Sequence, residues 1–200
     1  MKIGILSLQG AVEPQSGRIS ALGATPVRVR TREELFGCAG LILPGGESTT
    51  MIKLLLEYGL WDSLREYSLS RSVWGICAGA ILMAERVENP SQDCLGIFPA
   101  VVRRNAYGRQ NESFIGRVSL LIPGQEPVDD EAVFIRAPAF VSLGDQVEVL
   151  ASFKDNPVAA SCERHLITSY HPELSGSDFL HRHFLSLCQS TSSSRHVAAD

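Results

Sequence analysis

The chain has 200 residues, of which 44% are hydrophobic and 20% charged, and its 18 Lys and Arg against 22 Asp and Glu give a formal net charge of −4. That is enough apolar material for one sizeable core, and the length favours a single domain. The mildly acidic balance speaks against a nucleic-acid partner, and no apolar run reaches the roughly 18 residues of a membrane span.

The elements read in chain order as alternating strands and helices. Ile3–Leu8 is an apolar strand candidate, and the start at Met1 reads as that strand rather than as a signal peptide. Residues 11–22 are expected to be helical, with Pro14 in the first turn and Gly17 weakening the interior. Pro26–Val29 and Gly40–Leu43 are the next strands, the second ended by Pro44-Gly45-Gly46. Thr49–Tyr58 has helical spacing, with Met51, Leu54, Leu55 and Tyr58 on one face, and Leu60–Tyr67 follows as another helix. Ser72–Ile76 is a strand that runs into Cys77, with a helix expected over Ile81–Arg86.

Beyond Leu95 the texture changes. Phe114–Leu121, Ala132–Ile135 and Val147–Phe153 look like strands without intervening helices. Leu166–Tyr170 is a short strand leading into His171-Pro172-Glu173, and Asp178–Cys188 is a closing helix. The expected fold class is therefore α/β: a mostly parallel sheet with helices on both faces and an antiparallel extension. Residues 1–188 form the domain, and the Ser-rich stretch 189–200 is expected to be disordered. The five cysteines (Cys38, Cys77, Cys94, Cys162 and Cys188) are odd in number and lack a CxxC spacing, which argues for a reducing, cytoplasmic setting without a disulfide framework or structural zinc. The basic groups Arg28, Arg30, Arg32 and Arg103-Arg104 read as solvated faces.

Three segments carry chemistry. In Gly75-Ile76-Cys77-Ala78-Gly79 a cysteine sits between two glycines at a strand-to-helix junction, the form of a nucleophile elbow. Bulky neighbours would clash with the adjoining strand and helix. The turn exposes the sulfur, leaves the Ala78 N–H for an oxyanion, and aims the positive end of a helix at a thiolate. The plainer alternative is a small buried hydrophobe, the usual fate of a free cysteine. A thiolate nucleophile needs a base, and the base needs an orienting partner. His171-Pro172-Glu173 offers both: in an extended stretch, residues two apart point the same way, so the carboxylate could hold one imidazole nitrogen while the other faces sulfur. A surface pair on a loop is the alternative. In Pro44-Gly45-Gly46-Glu47-Ser48 a strand ends, a helix begins, and the Gly46 N–H is a candidate second oxyanion donor, against a simple tight turn. His165, His181, His183 and His196 are expected to be solvated or capping, and the other cysteines to be packing residues. No metal-ligand spacing such as HExxH occurs, so neither metal nor cofactor is expected.

These segments in this order resemble the triad-type (class I) glutamine amidotransferases, enzymes that hydrolyse the glutamine side-chain amide through a cysteinyl thioester and deliver ammonia to a partner. The likeness is closer still to the branch whose members are glutaminase subunits of pyridoxal 5′-phosphate synthase complexes. It is carried by Leu8-Gln9-Gly10-Ala11-Val12, Pro44–Thr50, Arg104-Asn105-Ala106-Tyr107-Gly108-Arg109-Gln110, Phe134–Pro138 and His171–Leu174, and covers the chain from Lys2 to about Cys188. The resemblance implies Cys77 as nucleophile, His171 and Glu173 as its relay, and Gly46, Glu47, Ser48, Arg104, Ile135 and Arg136 as contacts to L-glutamine. It implies that the partner is a synthase subunit, and it places Gln9 near the oxyanion turn and that interface. An arginine fork suits the α-carboxylate of a free amino acid, which fits Arg104, although a loop brace is the alternative. The chain departs from the family where a Glu-His pair is usual: Glu13-Pro14-Gln15-Ser16-Gly17 puts Pro14-Gln15 there, and Ile76 stands where threonine is common. The alternative readings are a glutaminase subunit of another pathway and a non-catalytic interaction subunit.

Overall fold

The computed structural model describes residues 1–104, 106 and 113–193. In chain order these form β1 (Lys2–Leu6), α1 (Val12–Ala21), β2 (Thr25–Val29), α2 (Arg32–Phe36), β3 (Gly40–Leu43), α3 (Ser48–Glu57), α4 (Trp61–Ser68), β4 (Ser72–Ile76) and α5 (Ala78–Met83). There follow β5 (Ala84–Glu88), β6 (Phe98–Arg103), β7 (Ser113–Leu120), β8 (Val128–Ile135), β9 (Ala139–Leu143), β10 (Glu148–Phe153), β11 (Asn156–Cys162), β12 (His165–Thr168), a 3-10 turn at Pro172–Leu174 and α6 (Phe179–Ser193).

A seven-stranded sheet runs in the order β10-β11-β12-β4-β3-β1-β2. Its pairings from β2 through β1, β3 and β4 to β12 are parallel, while β11 pairs antiparallel with both β12 and β10. The sheet is buried on both sides, which is why its central strands are near-continuous apolar runs rather than alternating ones. Alternate side chains still serve opposite layers. Ile3, Ile5, Ile42, Trp74 and Ile76 pack with Ile19 of α1, Leu180 and Phe184 of α6, and the β7–β8 hairpin. Leu6, Leu41, Leu43 and Val73 pack with α2, α3, α4 and α5. The expected parallel sheet with helices on both faces is therefore the observed architecture.

Several expectations need correction. The late strands do not form one extension: β10 and β11 lengthen the main sheet, β7 and β8 pair as a separate hairpin, and β6 joins β5 and β9 in a three-stranded sheet. The helix expected over Ile81–Arg86 instead begins at Ala78 and stops at Met83. Residues Ala84–Glu88 are a strand, because burying Ala84 and Val87 with Glu85 and Arg86 outward lets β5 pair with β6. The closing helix, expected over Asp178–Cys188, spans Phe179–Ser193, and residues 194–200 lie outside the described residues. Among the described residues, no helix is long and apolar enough to cross a membrane.

The topology fixes where a ligand can bind. From β1 the chain moves outward to β2, then crosses back to β3 on the other side of β1. The crevice beyond the carboxyl ends of strands at such a reversal is where open α/β sheets bind ligands. Helix α1 flanks this end and carries Gly17 in its interior, where an added Cβ would meet nothing within 4 Å. Gly17→Ala is accordingly expected to raise stability by about 0.5–1 kcal/mol, read as a higher urea midpoint at unchanged slope; a lower midpoint would contradict it.

Candidate active site

Cys77 stands between β4 and α5 with φ 50° and ψ −103°. A non-glycine residue at positive φ is strained by about 1–3 kcal/mol and persists only where its surroundings over-determine it. Here the Cys77 N–H donates to Thr168 O at 2.8 Å, tying the elbow to the end of β12. The flanking glycines answer a steric demand. A Cβ on Gly79 would lie 2.0 Å from Leu43 O, and one on Gly75 2.6 Å from Gly79 O. The helix thus rests directly on the backbone of β3, as the Gly-x-Cys-x-Gly spacing implies. Cys77 is buried, with Sγ 3.8 Å from Ile135 O.

His171 and Glu173 follow β12. The imidazole Nδ1 and Glu173 Oε1 are 2.8 Å apart, and both residues are buried. The sequence anticipated this pair, but by a different route. The stretch is not extended: Pro172–Leu174 makes a 3-10 turn that swings the carboxylate back under the ring. The ring is backed by Gly45, where a Cβ would come within 2.3 Å of His171 Cε1. With Nδ1 engaged by Glu173, Nε2 is the ring nitrogen left for Cys77, which lines the same cavity as His171 and interacts with its imidazole. Burial opposes charge on the imidazole, but the hydrogen bonds and negative charge of Cys77 and Glu173 outweigh it and raise the His171 pKa. The arrangement therefore favours the protonated imidazolium beside the sulfur.

A cavity of about 280 Å³ opens over these groups. It is at the small end of ligand pockets, which start near 300 Å³, and suits a free amino acid. Its wall includes Cys77, Ala78, His171, Gly46, Glu47, Ser48, Arg104, Ile135 and Arg136. Every triad, oxyanion and glutamine-contact residue named from the sequence therefore lines it except Glu173, which lies behind the imidazole. Arg104 Nη2 donates to Glu47 Oε1 at 3.0 Å. Arg136 holds φ 47°, a second strained residue at the same site. Ala78 is the first residue of α5, where an N–H has no intrahelical acceptor. The Gly45–Glu47 turn is braced by the segment after β1: Ala11 N donates to Gly45 O at 3.1 Å, and Glu47 N donates to Gln9 Oε1 at 3.1 Å.

A model of the SNO glutamine amidotransferase family matches residues 5–190. This chain belongs to the SNO glutamine amidotransferase family. PdxT of pyridoxal 5′-phosphate synthase from Solibacter usitatus (strain Ellin6076) is 46% identical over 188 residues, covering 92% of this chain and 98% of its own. PdxT from Geobacillus thermodenitrificans (strain NG80-2) is 45% identical, with 94% and 95% covered. A solved glutamine amidotransferase structure superposes with a TM-score of 0.86 at 43% identity, covering 94% of this chain and 98% of that one. The structure of PurLQS from Thermotoga maritima, at 16% identity and a TM-score of 0.63, covers 86% of this chain and 87% of that one and shares the fold.

Within this SNO-family site some contributors were not singled out from sequence. Gly10, Ala11 and Ile81 also line the cavity. Ser48 Oγ donates to Gln92 Oε1 at 2.9 Å, so the loop after β5 reaches the pocket wall. Gly10 and Ala11 belong to the Leu-Gln-Gly segment and were legible there; Gln92 carried no signal. Of the Arg104–Gln110 segment, Asn105 and residues 107–110 lie outside the described residues. The histidine expectation also needs correcting. His181 is neither solvated nor capping: it is fully buried, 3.0 Å from Gln15 Oε1 through Nε2 and edge-on to Trp74. His165 accepts from Val73 N, and burial lowers its pKa to about 4. His196 lies outside the described residues. Among the described residues, no group of three or more His, Cys, Asp or Glu could hold a metal ion.

Proposed function

We propose that this protein is the glutaminase subunit of a pyridoxal 5′-phosphate synthase, hydrolysing L-glutamine to L-glutamate and ammonia with a Cys77–His171–Glu173 triad. The reading rests on one observation: sulfur, imidazole and the backbone turns at Gly46 and Ala78 meet in a cavity of amino-acid size. Cys77 Sγ attacks the side-chain amide carbon. The N–H groups of Gly46 and Ala78 stabilise the tetrahedral oxyanion, each donor being worth about a hundred- to a thousandfold in rate. His171 gives its proton to the departing ammonia as the C–N bond breaks. It then takes a proton from water, which attacks the thioester, breaks the C–S bond and frees glutamate. Glu173 holds the imidazole in orientation and stabilises its charge. Arg104 and Arg136 supply positive charge for the glutamine α-carboxylate, and Glu47 and Ser48 supply acceptors for its α-amino group.

The synthase partner follows from the names of the relatives, two of which share 45–46% of their residues with this chain. Ammonia passed directly to that partner stays unprotonated and nucleophilic. The five free cysteines fit a reducing compartment such as the cytoplasm. The test is glutamate release from glutamine, measured with and without the cognate synthase. Cys77→Ala is expected to lower turnover by at least about a thousandfold while the complex still assembles. Turnover retained in Cys77→Ala would remove the sulfur from the mechanism.

A further inference from the structure

Arg18 reaches from α1 to the turn that carries the triad carboxylate. Its Nε donates to Glu173 O at 3.3 Å, its Nη2 donates to Ser175 O, and its Nη1 pairs with Asp178 Oδ1 at 3.0 Å. One planar guanidinium thus grips both the middle and the exit of the Pro172–Leu174 turn. An exposed ion pair to Asp178 alone would be worth little. The two bonds to backbone carbonyls are different in kind, because they fix the path of the chain. A 3-10 turn of three residues has poor hydrogen-bond geometry and little stiffness of its own. Its carboxylate must nonetheless stay within hydrogen-bond reach of His171 Nδ1. Helix α1 is a firm base for the clamp, because Gln15 is itself locked to buried His181 of α6. This lies within the Glu13–Gly17 departure and the residue after it, so the altered sequence has its own fastening.

We infer that Arg18 is a positioning residue for glutamine hydrolysis, holding the Pro172–Leu174 turn at the height where Glu173 meets the imidazole. The inference rests on the triad reading given above. Arg18 touches neither the cavity nor the reacting atoms; it acts through the backbone of Glu173 and Ser175. The charged and titratable groups around this unit are Cys77 and Glu173 on the imidazole, Arg18 and Asp178 beneath the turn, Asp130 on β8, and His181 on α6. Loosening the turn weakens the carboxylate's hold on the protonated ring, so the alkaline limb of the rate profile should move to lower pH.

The experiment uses the complex with its synthase partner and follows kcat and KM for glutamate release against pH. Arg18→Ala is expected to lower kcat about 10- to 100-fold, the scale of a displacement of about 1 Å near a reacting centre, with KM within about twofold and the alkaline limb shifted down. Arg18→Lys, which keeps the charge but lacks the fork, is expected to recover part of the loss. Asp178→Asn reports on the same guanidinium if Arg18→Ala does not fold, and should show the same shift in smaller measure. An unchanged kcat, or a loss with the alkaline limb in place, would overturn the positioning role. Cys77→Ala run in parallel separates the two readings: if it is inactive while Arg18→Ala matches the parent, only the role of Arg18 fails; if it stays active, the triad itself fails.

Discussion

Replacing Glu173 with glutamine is expected to cut glutamine turnover by about 10⁴-fold, the loss seen when an orienting carboxylate becomes an amide. The two side chains are nearly isosteric, so the turn should keep its shape. The chemistry should not survive. Glu173 Oε1 is 2.8 Å from His171 Nδ1, and its Oε2 is buried without a hydrogen-bond partner among the described residues. An amide there can present N–H to Nδ1 and force the wrong tautomer, and it carries no charge to support the imidazolium. The sign of the pH effect follows. Cys77 and Glu173 together raise the His171 pKa against the effect of burial. Activity needs that ring protonated when ammonia departs, so it falls as pH rises through the raised pKa. Without the carboxylate the pKa drops and the fall begins at lower pH. Steady-state rates across the neutral and alkaline range would show this; a residual rate within tenfold of the parent, with the limb unmoved, would mean that the carboxylate does not orient the base.

Gly79→Ala is the second large effect, and it acts through the fold. The added methyl would sit 2.0 Å from Leu43 O and 2.7 Å from Leu43 C, both backbone atoms of a central strand. No rotamer change can relieve that contact. Either α5 lifts from β3 or the elbow distorts, and overpacking of this severity costs about 3 kcal/mol or more. Because Cys77 already holds a strained φ, the displacement should also degrade the site. The expected result is a markedly lower denaturant midpoint together with loss of glutaminase activity. Parent-like stability would show that α5 does not rest on β3 as described.

The parts of the molecule legible in its sequence are those with local causes. Gly40–Leu43 and Ser72–Ile76 are strands with the expected limits, because both are short apolar runs punctuated by turn residues. The elbow was visible because crowding at one turn forces two glycines into fixed offsets. The pairing of His171 with Glu173 was visible because they stand two positions apart, even though the backbone achieves it by a 3-10 turn. Arg104 and Arg136 entered through family likeness alone; nothing local distinguishes them from surface cations. What escaped depends on distant partners. The bond from Arg18 to Glu173 O joins residues 155 apart, and that between Gln15 and His181 joins residues 166 apart. A polar residue on a helix gives no sign of which loop it will meet. The short strands β5 and β9 escaped because their pairing through β6, rather than their own composition, decides their conformation. Strand β5 also follows α5 without an intervening turn signal.

The mechanism requires Cys77 to be an activated thiol in a glutamine-shaped pocket. The direct measurement is labelling of the assembled complex with a glutamine-analogue electrophile, with the modified residue mapped by peptide mass spectrometry and excess L-glutamine as competitor. Cys77 should take the label ahead of Cys38, Cys94, Cys162 and Cys188, and glutamine should protect it. Label on the partly exposed Cys94 with Cys77 untouched, or labelling of Cys77 indifferent to glutamine, would contradict the site.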